Sequence, residues 1–323
     1  ETATASFSAD MYLGSLDGGD QNTAVAGAQE DIAVMAGYSF QIDLNTSFTG
    51  EDSLDISLDA GNASGTGIAE FDGNATASDR LTVDGVSYTF PLGESITMIV
   101  GDNTDGSALF TTACAYGGPS NTLDDCGNVN SGFGSMAGSS LGGSYSVSDE
   151  WSVALGYAGD GVTDTSGLMS AEGADAWGLN TAYTTDTYGL SASYSVVEQA
   201  NAVYADTHLA FNGYWAPPSF PGSISAGYEW NTVGGAIATA DESTSYFLGV
   251  QIDELGPGSA GIAMGTVGAM GEALAEDQMM YEAYYAYPLN DGMTITPLIF
   301  SKEGATAAAE DQTGLMVKTS FSF

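Results

Sequence analysis

The sequence predicts an all-β chain: a transmembrane antiparallel β-barrel of about sixteen strands with one long, inward-folded constriction loop. Three observations predict it. Segments of alternating apolar and polar residues recur roughly every 20 residues, bounded by Gly, Asp, Asn and Pro. The links between them alternate short and long. The last segment, Thr313 to Phe323, reads TGLMVKTSFSF, with Leu315, Val317, Phe321 and Phe323 alternating with Met316, Lys318, Ser320 and Ser322. Lipid on one side of every strand and water on the other demands such alternation.

Taken in order, the strands are expected at 3–15, 32–48, 52–60, 80–92, 95–102, 138–147, 150–158, 174–184, 187–198, 205–216, 222–231, 243–253, 259–267, 277–288, 292–302 and 312–323. In the second, Tyr38, Phe40, Ile42, Leu44 and Phe48 alternate with Ser39, Gln41, Asp43, Asn45 and Ser47. In the third, Leu54, Ile56 and Leu58 alternate with Asp55, Ser57 and Asp59. Trp151, Val153, Leu155 and Tyr157 mark the seventh, Leu209, Phe211 and Trp215 the tenth. Ile224, Tyr228 and Trp230 mark the eleventh; Tyr246, Leu248, Val250 and Ile252 mark the twelfth. Aromatics gather near strand ends, where Tyr and Trp favour the headgroup level. The opposite faces read as polar along nearly the whole chain, so no second buried core is expected.

After every even strand the link is short, as in Thr49-Gly50-Glu51, Gly93-Glu94, Ser148-Asp149, Thr185-Asp186 and Asn290-Asp291. After most odd strands it is longer. Tight periplasmic turns and longer outer loops give this pattern, and put both termini on the periplasmic side. The whole chain, 1–323, then reads as one outer-membrane barrel domain. It begins at Glu1 in strand-like sequence with no signal peptide, as a mature or trimmed N-terminus would.

Composition excludes several classes. Apolar residues make up 43% and mean hydropathy is near zero, so no run reaches the ~20 apolar residues of a membrane helix. The 44 glycines suit strands and turns rather than helices. Forty-two acidic residues face three basic ones, Arg80, Lys302 and Lys318, for a formal net charge of −39. Nucleic-acid binding and anchoring to anionic lipid both need clustered Lys and Arg, and fall away. A disordered acidic chain would lack the 17 Tyr, 13 Phe and four Trp placed periodically here.

A barrel of this size leaves an aqueous channel, so the inward face is the functional surface. Asp10, Asp43, Asp55, Asp59, Glu229, Asp253 and Glu282 have inward parity among Ser, Gly, Asn and Thr. Rings of carboxylates raise the local concentration of cations. Lys318, Lys302 and Arg80 are expected on the same wall, pairing with carboxylates or marking a positive patch. The longest link, about 103–137, is the candidate constriction, lined by Asp105, Asp124, Asp125 and Tyr116. Cys114 and Cys126 within it read as a local disulfide in an oxidising compartment, worth ~3 kcal/mol in the chain-entropy account. Two free thiols are the alternative. Clustered carboxylates, such as Asp102 with Asp105, suit weak Ca²⁺ binding without full EF-hand spacing. No other cofactor is expected. The chain is not expected to be an enzyme: His208, beside Asp206, is its only histidine, and neither a Gly-x-Ser-x-Gly elbow nor HExxH occurs.

Five segments carry a resemblance: DLNTSFTGEDSLDISLDAGN (43–62), VSYTFPLGESITMIVGDNTDG (86–106), CAYGGPSNTLDDCGN (114–128), NDGMTITPLIFSKE (290–303) and LMVKTSFSF (315–323). They resemble the barrel domain of cyanobacterial outer-membrane porins, most of all the acidic forms of marine picocyanobacteria. The resemblance implies a homotrimer in outer-membrane lipid, a constriction loop after the fifth strand, and passive passage of ions and small polar solutes. Members of that family usually carry an S-layer-homology domain and a coiled coil that hold the barrel to peptidoglycan, and neither stands in this sequence. With one arginine, a strong transverse field across the pore is not expected. Two further readings stand beside a general pore. One is a substrate-specific channel for sugars or metal ions, with Tyr12 and Tyr214 as a short aromatic track. The other is a secreted, acidic, Ca-stabilised β-rich surface protein.

Overall fold

Alternation with period two needs neighbours on both sides of each strand, and the chain supplies them by closing on itself. The computed structural model describes residues 3–18, 34–62, 70–71, 79–130, 137–161, 167–170, 172–198, 200, 205–232, 234, 242–268, 270–271, 278–304 and 310–322. Its strands are β1 (Thr4–Asp17), β2 (Val34–Thr46), β3 (Ser53–Gly61), β4 (Thr82–Pro91), β5 (Ile96–Asp105) and β6 (Ala137–Ser146). Next come β7 (Trp151–Gly159), β8 (Asp175–Thr184), β9 (Tyr188–Glu198), β10 (Ala205–Trp215), β11 (Gly222–Thr232) and β12 (Glu242–Leu255). The last are β13 (Gly258–Thr266), β14 (Met270–Gly271), β15 (Met279–Asn290), β16 (Met293–Lys302) and β17 (Gln312–Ser322).

Each long strand pairs antiparallel with the next, and β1 pairs with both β2 and β17, so the sheet is a closed barrel of sixteen long strands. The terminal segment predicted from its alternation is the closing strand: Ser8 sits opposite Ser322, Tyr12 opposite Lys318 and Leu16 opposite Gly314. Phe323 lies outside the described residues. The two-residue β14 was not expected. It pairs with the start of β12 through Ser243–Gly271 and Thr244–Met270, leaving β13 to pair with β15.

Outward positions carry apolar side chains that stay open: Met11 is 59% exposed and Leu13 52%, while Tyr12 between them is 2%. Leu155, Leu190, Ile262, Ile299 and Leu315 continue the band around the barrel. Phe48, Tyr145, Trp151, Tyr188 and Trp215 stand exposed toward the short turns, and Trp177 and Trp230 toward the long links. Strand-to-strand pairing runs unbroken round the ladder, from β1 through β17 and back to β1, which only a closed sheet achieves without edges.

The short turns are built by local chemistry. At 47–52, the Asp52 carboxylate accepts from Ser47 Oγ (2.7 Å), Thr49 Oγ1 (2.6 Å), Thr49 N (2.7 Å) and the neighbouring strand's Tyr88 hydroxyl (2.7 Å). Gly50, at φ +89°, takes the left-handed position that a side chain resists.

The expectation of a polar inner face without a second core fails. Tyr12, Phe71, Tyr116, Leu123, Val129, Phe247, Met280, Leu298, Phe300 and Met316 form one buried cluster with Cys126 inside the barrel. The wall from β12 to β17 and β1 carries apolar side chains on its inward parity; Tyr116 of the link after β5 packs on Phe247 and Tyr284, and Phe71 of the β3–β4 link on Tyr12.

Candidate functional site

The inner wall divides into two arcs. On the first, β1 to β5, the carboxylates are propped by short polar neighbours. Asp43 accepts from Gln41 Nε2 (2.7 Å) and Ser57 Oγ (2.6 Å). Asp55 accepts from Asn45 Nδ2 (2.6 Å) and Ser53 Oγ (2.6 Å), and Asp59 from Thr82 Oγ1 (2.8 Å). These are cross-strand pairs on one face. A register shift between Ser57 and Leu58 against β4 brings in Asp84, which parity counting alone misses. Asp55, Asp84, Asn103 and Asp105 line a cleft of about 360 Å³ with Ser57 and Ser87.

On the second arc, β7 to β16, the link after β5 lies against the polar side chains of the wall. It approaches strand by strand: Thr111 N donates to Asn180 Oδ1 (3.0 Å) on β8, Ala113 N to Ser191 Oγ (2.9 Å) on β9, and Ala115 N to Ser225 Oγ (3.0 Å) on β11. Gly117 N reaches Gln251 Oε1 (2.9 Å) on β12, and the Tyr116 hydroxyl donates to Glu282 Oε1 (2.6 Å) on β15. It then returns through Asn128, bound to the Thr266 carbonyl (2.9 Å), and Asn130, which accepts from Asn212 (3.0 Å). Small residues on the wall admit it: a Cβ on Gly249 would come within 2.7 Å of the Tyr116 ring, and one on Gly227 within 2.9 Å of Val129.

Cys114 and Cys126 are joined, with sulfurs 2.06 Å apart, closing the lobe between its outward and returning legs. A short 3₁₀ turn, Asp124–Cys126, follows the tip, with Asp125 and Cys126 at positive φ of 44° and 71°. Burial, and next the charge of Glu282, raise the Tyr116 hydroxyl above the usual phenol range, so it remains a donor.

The expected site residues are therefore not one set. Asp10, Asp43 and Asp55 stand half-buried on the first arc; Asp253 is exposed at the short-turn end of β12, accepting from Gln251 (2.9 Å). Asp59, Glu229 and Glu282 have the inward parity expected but are buried, at 5%, 0% and 5% exposure. Open lining is corrected for these three: Thr82 braces the first, while the lobe lies over the second arc that carries the other two. Tyr116 belongs to the buried cluster rather than to an open surface. Asp105 sits at the root of the link, accepting from Ser107 N (2.8 Å), whereas Asp125 is exposed and Asp124 half-buried near the tip. The three are not brought together.

Lys302 pairs with Glu70 (3.2 Å) and Lys318 with Asp10 (3.6 Å). Arg80 is exposed just before β4. His208 Nδ1 lies 2.7 Å from Asn231 Oδ1 and 3.5 Å from Glu229. Asp102 does not join Asp105: it is exposed opposite Val86, and accepts from Asn103 N (3.0 Å) and Ser139 Oγ (3.3 Å). Among the described residues no group of three or more His, Cys, Asp or Glu is placed to hold a metal ion. Tyr12 stacks on Phe71 (5.5 Å) and Tyr214 bonds the Thr185 carbonyl (2.5 Å), so they form no track. Sequence reasoning missed Glu70, Phe71 and Asp84; nothing in the pattern of 62–81 announces the first two.

No family model and no curated protein matches this sequence. Solved structures do match its fold. Pseudomonas putida OprB, in a high-pH structure, superposes with a TM-score of 0.68 at 9% identity, covering 100% of this chain and 94% of that one. A mutant of the Rhodopseudomonas blastica porin gives 0.62 at 13% identity over 99% and 100% of the two chains. OmpT, an outer-membrane protein of Vibrio cholerae, with its loop L8 deleted, gives 0.63 at 10% identity over 100% of each. The chain is thus similar in fold to bacterial outer-membrane porins.

Proposed function

We propose that this protein is an outer-membrane porin giving passive diffusion of ions and small polar solutes through an acidic, cation-preferring pore. One observation carries the reading: a closed barrel with an exposed apolar band outside and propped carboxylates along an uncovered inner arc. A soluble protein does not leave so large an apolar surface open. The lobe after β5 folds inward as the constriction, and solutes pass between it and the arc carrying Asp43, Asp55, Asp84 and Asp105. Carboxylates there attract cations and repel anions. Lys302 and Lys318 each face a carboxylate, which blunts their attraction for anions.

The mechanism needs no cofactor and involves no bond-making chemistry. We further propose a homotrimer with both termini periplasmic. The segments 43–62 and 114–128 support a cyanobacterial type of porin. Similarity in fold to porins supports the outer membrane as its location.

Reversal potential across a planar bilayer under a KCl gradient tests the proposal. Stepwise conductance with cation preference is expected. Asp43→Asn, Asp55→Asn and Asp105→Asn together should lower that preference. Anion preference in the unaltered protein would refute the selectivity, and absence of conductance would refute the pore.

A further inference from the structure

We infer that Glu70 is a positioning residue that latches the tip of the constriction lobe and, by holding Lys302, keeps the acidic path free of an uncompensated cation. The inference rests on the pore reading above. Glu70 lies in the link between β3 and β4 yet reaches the β16 wall, next to the strands that receive the lobe. Its backbone carbonyl accepts from Asn121 N (2.7 Å), and its Oε1 accepts from Thr122 N (3.2 Å). Its Oε2 meets Lys302 Nζ at 3.2 Å, with the Glu70 side chain 9% exposed and that of Lys302 27%. One residue therefore touches the lobe twice and the β16 wall once.

Its neighbour fixes it there. Phe71 is fully buried and stacks on Tyr12 of β1, with ring centroids 5.5 Å apart and planes 22° from parallel. The lobe is thus held at two places: by Tyr116, Gly117 and Asn128 against the barrel wall, and at its tip by Glu70 of another link.

The chemistry of the latch bears on function. A carboxylate accepting from a backbone N–H and an ammonium makes charge-assisted bonds, roughly twice as strong as neutral ones. Because both charges lose water, apolar packing of the same volume often holds two elements as firmly as an ion pair or more so. Removing one partner leaves the other charged and unpaired beside the path. Loss of Glu70 must then act twice: it frees the tip, and it exposes a positive charge to passing ions.

Those two effects are separable. Glu70→Ala, Lys302→Met and the double variant are compared with the unaltered protein in planar bilayers, after heat-modifiable gel migration confirms that each barrel is folded. Glu70→Ala is expected to raise open-channel current noise and to shift the reversal potential toward anions. Adding Lys302→Met should restore the reversal potential but not the quiet current, an interaction that independent sites would not show. Amide exchange supplies a second measurement. In Glu70→Ala, the Thr122 N–H should exchange roughly tenfold faster or more, as loss of a bond to a charged acceptor implies. Unchanged noise, reversal potential and exchange in a conducting Glu70→Ala channel would overturn the latch and leave the pore reading intact. An unaltered protein that never conducts would take both down.

Discussion

At the scale of the residue, Asp52 shows how one side chain builds a turn. Hydroxyl donors, first Ser47 and then Thr49, hold its carboxyl far below the usual carboxylate range. A depressed value in the folded state adds stability in full above the unfolded value near pH 4, and that stability fades as pH falls. Asp52→Asn is therefore expected to lower the thermal midpoint at pH 7, with the gap to the unaltered protein shrinking below about pH 4. Thermal unfolding followed by circular dichroism at pH 7 and at low pH checks this; a gap independent of pH would count against it. Parity made Asp10, Asp43, Asp55 and Glu282 legible as inward positions, because period two is a local property of a strand. Cover was not legible. Glu282 is closed off by Tyr116, 166 residues away in sequence, and no local pattern encodes that distance.

At the scale of the element, the long strands were readable because each carries its own alternation and its own boundary residues. β14 and the 3₁₀ turn at Asp124–Cys126 were not, since two or three residues hold no period. The lobe shows a different gap. Its length and its cysteines marked it as a candidate constriction, but its apolar residues looked unpatterned. Leu123 at the tip and Val129 on the returning leg contact different strands, near Gly265 and Gly227, so their spacing follows the barrel wall rather than a helix or strand. The Cys114–Cys126 bond closes a 12-residue separation, for which the chain-entropy account gives about 3 kcal/mol. Cys114→Ser with Cys126→Ser should leave heat-modifiable migration unchanged while increasing the frequency of brief closures in single-channel records. Loss of the folded band would mean that the bond supports the barrel itself, not only the lobe.

At the scale of the molecule, a net charge of −39 sets a field that no single carboxylate owns. Screening gives the test. Raising KCl from about 0.1 M to 1 M shortens the Debye length from about 10 Å to 3 Å, so long-range attraction of cations should collapse while contact with the first arc persists. Cation preference is expected to fall steeply over that range without vanishing, read from reversal potentials at fixed gradient ratio. Preference independent of salt would assign selectivity to direct contact alone. Net charge and closure were both legible from the sequence, the first by counting and the second from the number and alternation of strands. The division of the lumen into a covered and an open arc was not, because it depends on which wall the lobe meets.

The seat of the lobe also sets an order of assembly. Every barrel strand that receives it, from Asn180 on β8 to Glu282 on β15, is made after the lobe. The cysteines that shape it lie 12 residues apart and need nothing downstream. The plug can therefore acquire its form before its socket exists, and docks only when the later strands have curled round to meet it.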